Sequence, residues 1–227
     1  MNYSVLVVED DESILDLIEI YLENENYIIK RATSSEQALK YIKEKEFDLA
    51  ILDIMLPGEN GYYMCAKIRE SYNYPIIMLT SKDDESSKIK GLTFGADDYV
   101  TKPFLPGELV ARVKAQLRRY NNYNLETREN SEDILTYKNV DLNIKSREVL
   151  VDGENVDLTP TEFIILKSLL EKKSEVLESE DLFYKIYPND YYVKNNTISV
   201  HIRHIREKLG VQNNIIITVW GVGYKIG

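Results

Sequence analysis

Five polar residues stand directly behind short apolar runs in the first half of the chain. Glu9 and Asp10 follow VLVV, Asp53 follows LAIL, Thr80 follows IIML, and Lys102 closes DYVTK before Pro103. If these runs are strands of one parallel layer, the five groups meet at one end of it. Carboxylates that close repel one another unless a cation lies among them, and hard oxygen donors around an open site suit Mg²⁺. A metal with free positions also admits a phosphoryl group. Lys102 would hold one phosphoryl oxygen as a point charge, and Thr80 another by a hydrogen bond. Asp53 would be the nucleophile that takes the phosphoryl group. Asp11 and Glu12, next in the same acidic run, read as favourable charges in the first turn of a helix.

The elements that must bring these residues together are legible up to about Asn121. The runs YSVLVV, YIIKR, FDLAILD, YPIIMLT and DDYVTK alternate with amphipathic stretches such as Ile14–Leu22 and Leu109–Leu117. Five such units predict an α/β domain, a five-stranded doubly wound parallel sheet with helices on both faces. Near-continuous apolar runs fit strands buried on both sides. In such sheets ligands sit beyond the carboxyl ends of the strands, where the strand order switches. The expected domain spans residues 1–121, and the polar, aperiodic stretch at 122–131 reads as a linker.

At 227 residues, 44% hydrophobic and 29% charged, the chain has room for two packed domains. The N-terminus is acidic and carries no signal-like apolar region. No apolar run approaches the roughly 20 residues that cross a bilayer, so a cytoplasmic protein without a membrane span is expected. The single cysteine, Cys65, excludes an internal disulfide framework and, with no His or second Cys beside it, reads as packing. A net charge of −10 argues against diffuse, charge-driven binding to nucleic acid or membrane.

Residues 132–227 follow a different grammar and predict a smaller α+β domain. ILTYKNVDLNIKSREVLVDGENVDL alternates like antiparallel strands, with Asp152-Gly153 as a hairpin turn. In TPTEF, Thr159 caps a helix, Pro160 is its first residue and Glu162 completes a capping box. Two further helices and a closing hairpin, IIITVWGVGYKIG, follow. In the second of these helices Ile198, Ile202, Ile205 and Leu209 form the buried stripe. Ser199, Val200, His201, Arg203, His204 and Arg206 lie opposite it. Arg203 and Arg206 suit phosphates, and Ser199, Val200 and His204 are placed to reach base edges in a major groove. The domain holds 12 basic against 15 acidic residues, a poor balance for a DNA binder that the polar face of this helix offsets.

VVEDD, LAILDIMLPGENGY, PIIMLTS and GADDYVTKPF resemble the receiver domain of two-component response regulators, a flavodoxin-like fold. NNTISVHIRHIREKL and TVWGVGYKIG resemble the winged-helix effector of the OmpR/PhoB subfamily, and in particular its vancomycin-resistance regulators. The resemblance implies that Asp53 is phosphorylated by a sensor histidine kinase and that Glu9, Asp10, Asp53 and the Met55 carbonyl surround Mg²⁺. It implies a switch pair, Thr80 and Tyr99, and a cis Lys102-Pro103 bond. It implies a phosphorylation-dependent homodimer whose face carries Lys88 with Glu108, Asp98 with Arg112, and Asp97 with Arg119. It further implies promoter DNA as the ligand of the effector, with Thr197, Thr218, Trp220 and Tyr224 joining the helix residues at the DNA. RNA polymerase is then a further partner and glycopeptide-resistance genes are the target.

Two positions depart from the wider subfamily. Trp220 stands where its wing hairpin commonly carries Arg, and Asn196 where a basic residue commonly precedes the recognition helix. Trp220 either packs against the hairpin and that helix or gives DNA an uncharged contact. Three rival readings stand beside the regulator. A phosphatase of the haloacid-dehalogenase type needs a second Asp two residues after the nucleophile, where Met55 stands. A receiver joined to a protein- or RNA-binding domain is the second. A metal site at His201, His204 and Glu207 is the third.

Overall fold

The computed structural model describes residues 3–81, 94–125, 133–186, 196–210 and 215–227. The chain divides into two compact units, Met1–Tyr120 and Asn121–Gly227. In the first unit, strands β1 (Ser4–Val8), β2 (Ile28–Ala32), β3 (Leu49–Asp53), β4 (Ile76–Ser81) and β5 (Asp98–Lys102) form one parallel sheet in the order β2-β1-β3-β4-β5. Helices α1 (Glu12–Glu23), α2 (Ser35–Glu44), α3 (Gly61–Arg69) and α4 (Pro106–Leu125) cover it. The fourth helical segment expected from the sequence falls at residues outside those described.

Strand parity sorts the core into two layers. Val5, Val7, Ile51, Leu79 and Val100 pack with Leu15, Ile18 and Leu22 of α1 and Leu109, Val113 and Leu117 of α4. Leu6, Val8, Leu52, Ile76 and Met78 pack on the other face with Ala38 and Ile42 of α2 and Met64, Cys65 and Ile68 of α3. The helices start where the sequence supplies caps. Asp11 accepts from the Ser13 and Ile14 amides, Ser34 from Gln37 and Asn60 from Tyr63. Asp11 is therefore a cap rather than a first-turn charge. Cys65 is buried, donates to the Phe94 carbonyl at 3.2 Å, and burial pushes its thiol up to about 12, in keeping with a packing role.

One boundary differs from expectation. Helix α4 continues to Leu125, so the first residues of the stretch read as linker are helical. A helix already nucleated by a buried face extends at little cost even through polar residues.

In the second unit β6 (Ile134–Tyr137), β7 (Val140–Asn143), β8 (Val149–Val151) and β9 (Glu154–Asn155) form an antiparallel sheet in sequence order. Asp152 and Gly153 turn between β8 and β9 with φ of 54° and 86°, the positive pair that a two-residue hairpin turn demands. Helices α5 (Pro160–Glu171), α6 (Ser179–Ile186) and α7 (Asn196–Leu209) follow. The hairpin β11 (Ile216–Val219) and β12 (Gly223–Ile226) pairs through β12 with a two-residue strand, β10 (Leu177–Glu178), which the sequence reading missed. Phe163, Leu166 and Leu169 of α5, Leu182 and Phe183 of α6, and Ile198, Ile202, Ile205 and Leu209 of α7 share one core with Ile216 and Ile226. Among the described residues no helix is long and apolar enough to cross a membrane.

Candidate functional site

The switch in strand order lies between β1 and β3, and the acidic residues stand at the carboxyl ends of those two strands. Ligand oxygens of Glu9, Asp10 and Asp53 lie within 4.8 Å of one another. Glu9 and Asp53 are buried and Asp10 is exposed. Lys102 reaches in from the end of β5, its Nζ 2.6 Å from Glu9 Oε2 and 2.9 Å from Asp53 Oδ2. The other Asp53 oxygen, Oδ1, accepts the Met55 amide at 3.2 Å. Thr80 is buried one position beyond Leu79, which pairs with Asp53 across the β3–β4 ladder. The Lys102-Pro103 bond is cis, as expected.

Burial pushes the Glu9 carboxyl up to about 7. The bond from Lys102 opposes that shift, and the charge of Asp53 adds to it. Burial also works against the Lys102 ammonium, but its bonds to Glu9 and Asp53 prevail and raise its pKa above the ordinary lysine value. One lysine thus faces two carboxylates with a third alongside, and the pocket holds more acid than base.

A residue that motif reading passed over shapes the pocket. A Cβ on Gly61 would lie 2.1 Å from the Asp53 carbonyl oxygen, while the Gly61 amide donates to the Ile54 carbonyl at 3.1 Å. Only glycine lets α3 start this close behind the strand end. The signal was its place in ENGY, immediately after the cap Asn60.

The second unit places its expected site residues unevenly. Ser199 and Arg203 of α7 are exposed and Val200 is half-buried, whereas Thr197, His201 and His204 are buried. Burial puts these three side chains on the core side of α7, so His204 does not present its ring outward as expected. The buried arc is wider than the isoleucine stripe: His201 lies three residues after Ile198 and four before Ile205, so it turns inward with them. His204 Nδ1 lies 3.6 Å from Glu162 Oε1, and Glu207 pairs with Arg203 at 3.0 Å on the outer side, so the proposed His201/His204/Glu207 set does not converge. Arg206 is half-buried. Its guanidinium donates to the Ile216 carbonyl at 2.7 Å and to Thr218 Oγ1 at 2.8 Å, which bonds α7 to the closing hairpin. Tyr224 is buried and Thr218 half-buried on that hairpin, while Trp220 at its tip is 90% exposed. The packed alternative for Trp220 is thereby overturned.

The receiver domain model of response regulators matches residues 5–114, and the C-terminal domain model of transcriptional regulatory proteins matches residues 153–226. Regulatory protein VanR of Enterococcus faecium is 51% identical over all of this chain and 99% of its own length. The response regulator DrrB of Thermotoga maritima, an OmpR/PhoB homologue of known structure, is 31% identical over 100% of this chain and 99% of its own, with a TM-score of 0.52. This chain belongs to the OmpR/PhoB family of response regulators. VanRc of Enterococcus gallinarum, 42% identical over 100% of this chain and 99% of its own, is a further relative. The receiver and DNA-binding domains of the family are both present, and the family is one of transcription regulators rather than enzymes.

Within the receiver, the residues expected on a dimer face do not share one environment. Lys88 lies outside the described residues. Asp98 is buried and held in its own chain by Arg112 at 3.2 Å, and Arg112 also bonds Glu108 at 3.1 Å. Burial raises the Asp98 carboxyl, with Arg112 and then Arg119 pulling it back. Arg119 thus acts on Asp98. Asp97 is fully buried and accepts from Arg69 at 2.7 Å and from the Ile76 amide at 2.9 Å. Asp97 immediately precedes β5 and faces Arg69, whereas Asp98, the first residue of the strand, turns towards α4 and Arg112. Tyr99 is half-buried against the α2–α3 core layer.

In the effector, Glu162 anchors the recognition helix. Its carboxylate accepts from the Thr159 amide and from Lys208 Nζ, at 2.8 Å and 2.7 Å, and faces His204. Burial opposes its ionisation, yet His204, Lys208 and the Thr159 amide hold it down at about 2. A carboxyl depressed in the folded state stabilises above its ordinary value near 4.5 and loses that contribution as the pH falls towards about 2. Calorimetry of the wild type and Glu162→Gln should show a gap on the order of 3 kcal/mol at neutral pH that closes across this window. A gap independent of pH would remove the ion cluster as its cause.

Proposed function

We propose that this protein is a phosphorylation-activated transcription regulator of a two-component system, with a receiver at residues 1–121 and an effector at 132–227. A sensor histidine kinase passes a phosphoryl group to Asp53. The phosphorylated receiver forms a homodimer, and the winged helix binds promoter DNA in the cytoplasm. Likeness to VanR supports glycopeptide-resistance genes as the target, with RNA polymerase as a further partner. The observation that carries the reading is the seating of Lys102 between Glu9 and Asp53, with Asp10 alongside, at the switch point of the sheet.

Three carboxylates with a surplus of negative charge are a donor set for a hard divalent cation. Glu9, Asp10, Asp53 and the Met55 carbonyl would hold Mg²⁺, whose charge, when it is bound, stabilises the transferring phosphoryl group. An Asp53 oxygen attacks phosphorus as the bond from phosphorus to the donor breaks. Lys102, already on Asp53 Oδ2, follows the charge onto a phosphoryl oxygen, and the Thr80 hydroxyl donates to another. Tyr99 then moves inward behind Thr80. Thr80 and Tyr99 stand on neighbouring strands, β4 and β5, so a shift at one is felt at the other.

Among the described residues of the expected receiver face, Glu108 is exposed, with Arg112 behind it. A homodimer formed here must exchange the Arg112 bonds within one chain for bonds across two. Sedimentation of the phosphodonor-treated chain should show a dimer absent from the untreated chain. Glu108→Lys should weaken the dimer only a few-fold, as exposed ion pairs do. Affinity for a duplex recovered from a random-sequence pool should rise on phosphorylation. Equal affinity with and without phosphodonor would sink phosphorylation control, and equal association constants for the variant would take this face out of the contact.

A further inference from the structure

The fold treats the sulfur atoms of this chain unequally. Cys65 is fully buried, and burial raises its thiol, so the thiolate that reacts with oxidants is scarce. Met64 and Met78 are buried as well, whereas Met55 is 72% exposed. Among the described residues Met55 therefore holds the only sulfur that solvent reaches readily.

The loop after β3 keeps that sulfur outside. Ile54 and Leu56, on either side of Met55, are buried in the α2–α3 core layer. With both neighbours anchored, the side chain between them cannot turn inward without unseating one of them. The backbone is held too: the Met55 amide donates to Asp53 Oδ1 at 3.2 Å, and the Gly61 amide to the Ile54 carbonyl at 3.1 Å. An exposed thioether thus stands two residues beyond Asp53, on a segment bonded to its carboxylate. A thioether is apolar, but a sulfoxide is polar and its oxygen is a strong acceptor. The pocket already sets three carboxylates against one ammonium. A further negative oxygen beside it strengthens the field that opposes an incoming phosphoryl donor.

We propose that Met55 is a site of oxidation by peroxides, and that its sulfoxide slows phosphoryl transfer to Asp53. The sulfur lone pair attacks the outer oxygen of a hydroperoxide, and the O–O bond breaks. The proton on the transferred oxygen passes to the departing one. Sulfur loses two electrons, and the peroxide is reduced to an alcohol, or to water where it is hydrogen peroxide. A methionine sulfoxide reductase with a thiol reductant restores the thioether, so the change is reversible. The effect on transfer rests on the reading of Asp53 as the phosphoacceptor; the site of oxidation does not.

The test treats the full chain with dilute hydrogen peroxide, removes it, and locates the added oxygen by peptide fragmentation in a mass spectrometer. Met55 should take up one oxygen atom well before Met64 and Met78, with Cys65 still a thiol. The oxidised chain should then gain its phosphoryl group from a small phosphodonor and Mg²⁺ several-fold more slowly, by intact mass. The reductase should bring the rate back. Met55→Leu, compared with itself before and after peroxide, should show no change of rate. Met55→Gln, which puts a polar group of similar length at this place, should be slower than Met55→Leu without any peroxide. Oxygen appearing first at Met64, Met78 or Cys65 would overturn the site. An unslowed oxidised chain, or a loss that Met55→Leu shares, would overturn the effect and leave the reading of Asp53 standing. An untreated chain that gains no phosphoryl group would overturn that reading and the effect with it.

Discussion

Replacing Asp53 with alanine will abolish phosphorylation outright, the largest single effect expected of any substitution in this protein. Incubation of the wild type with a small phosphodonor and Mg²⁺ should add one phosphoryl group by intact mass, and Asp53→Ala should stay at its starting mass. The expectation follows from the position of the carboxylate. Asp53 is the buried acid that Lys102 and the Met55 amide hold by separate oxygens, 2.9 Å and 3.2 Å away, so one oxygen is aimed while the other is pinned. Glu9 is equally buried, but its Oε2 is the oxygen nearest the Lys102 ammonium, at 2.6 Å, and it belongs to the set that would hold the cation. Lys102→Ala should leave the site modifiable and slow the reaction by about two orders of magnitude, the usual cost of one charge-stabilising donor. EDTA should stop the wild-type reaction, because three carboxylates and one ammonium leave the pocket too negative for a phosphoryl donor to enter. An adduct of equal yield in Asp53→Ala, or in EDTA, would end the assignment.

What the sequence could and could not convey separates along physical lines. The pocket was legible because strand-end residues in a parallel sheet share one edge, which brings Glu9, Asp53, Thr80 and Lys102 to the same end of it. The caps were legible at Thr159 and Glu162, where the pattern is local. Helix α7 was misread for the opposite reason. Periodicity located the centre of its buried stripe at Ile198, Ile202, Ile205 and Leu209, but not its width. That width depends on what packs at the flanks. Glu162 of α5 lies 42 residues before His204, and its carboxylate draws both His204 and Lys208 to the inner side. Arg206 was read as a phosphate ligand because nothing local to it announces the carbonyl of Ile216. For Trp220 the sequence left packing and exposure both open, since an apolar side chain is exposed only for reasons outside its own hairpin. Asp97 and Asp98 pose the sharpest case: two identical residues in succession, of which only the fold decides which meets Arg69 and which meets Arg112.

Arg69→Ala should cost the receiver about 4 kcal/mol while leaving Asp53 able to accept a phosphoryl group. The guanidinium spends nearly all its donors inside the protein. Nε donates to the Gly95 carbonyl at 2.9 Å, Nη1 to the carbonyls of Tyr72 and Tyr74 at 3.2 Å and 2.9 Å, and Nη2 to Asp97 Oδ2 at 2.7 Å. It therefore ties the end of α3 to the segments that enter β4 and β5. Asp97 is fully buried, and taking a counter-charge from a buried carboxylate typically costs about 3–5 kcal/mol. The three carbonyls lose a donor as well. All of these bonds lie at the amino ends of β4 and β5, whereas Thr80 and Lys102 lie at the carboxyl ends of the same strands. Stability and chemistry should thus part company in this variant. Hydrogen exchange read by mass spectrometry should show faster opening of the β4 and β5 peptides, with the effector peptides unchanged, and cold phosphodonor treatment should still give the adduct. Adding Asp97→Asn to Arg69→Ala should restore part of the protection, because a buried neutral amide costs less than an unaccompanied charge and still accepts from the Ile76 amide. Protection unchanged in Arg69→Ala, or a double variant weaker than the single, would show that the Arg69–Asp97 pair does not hold this edge of the sheet.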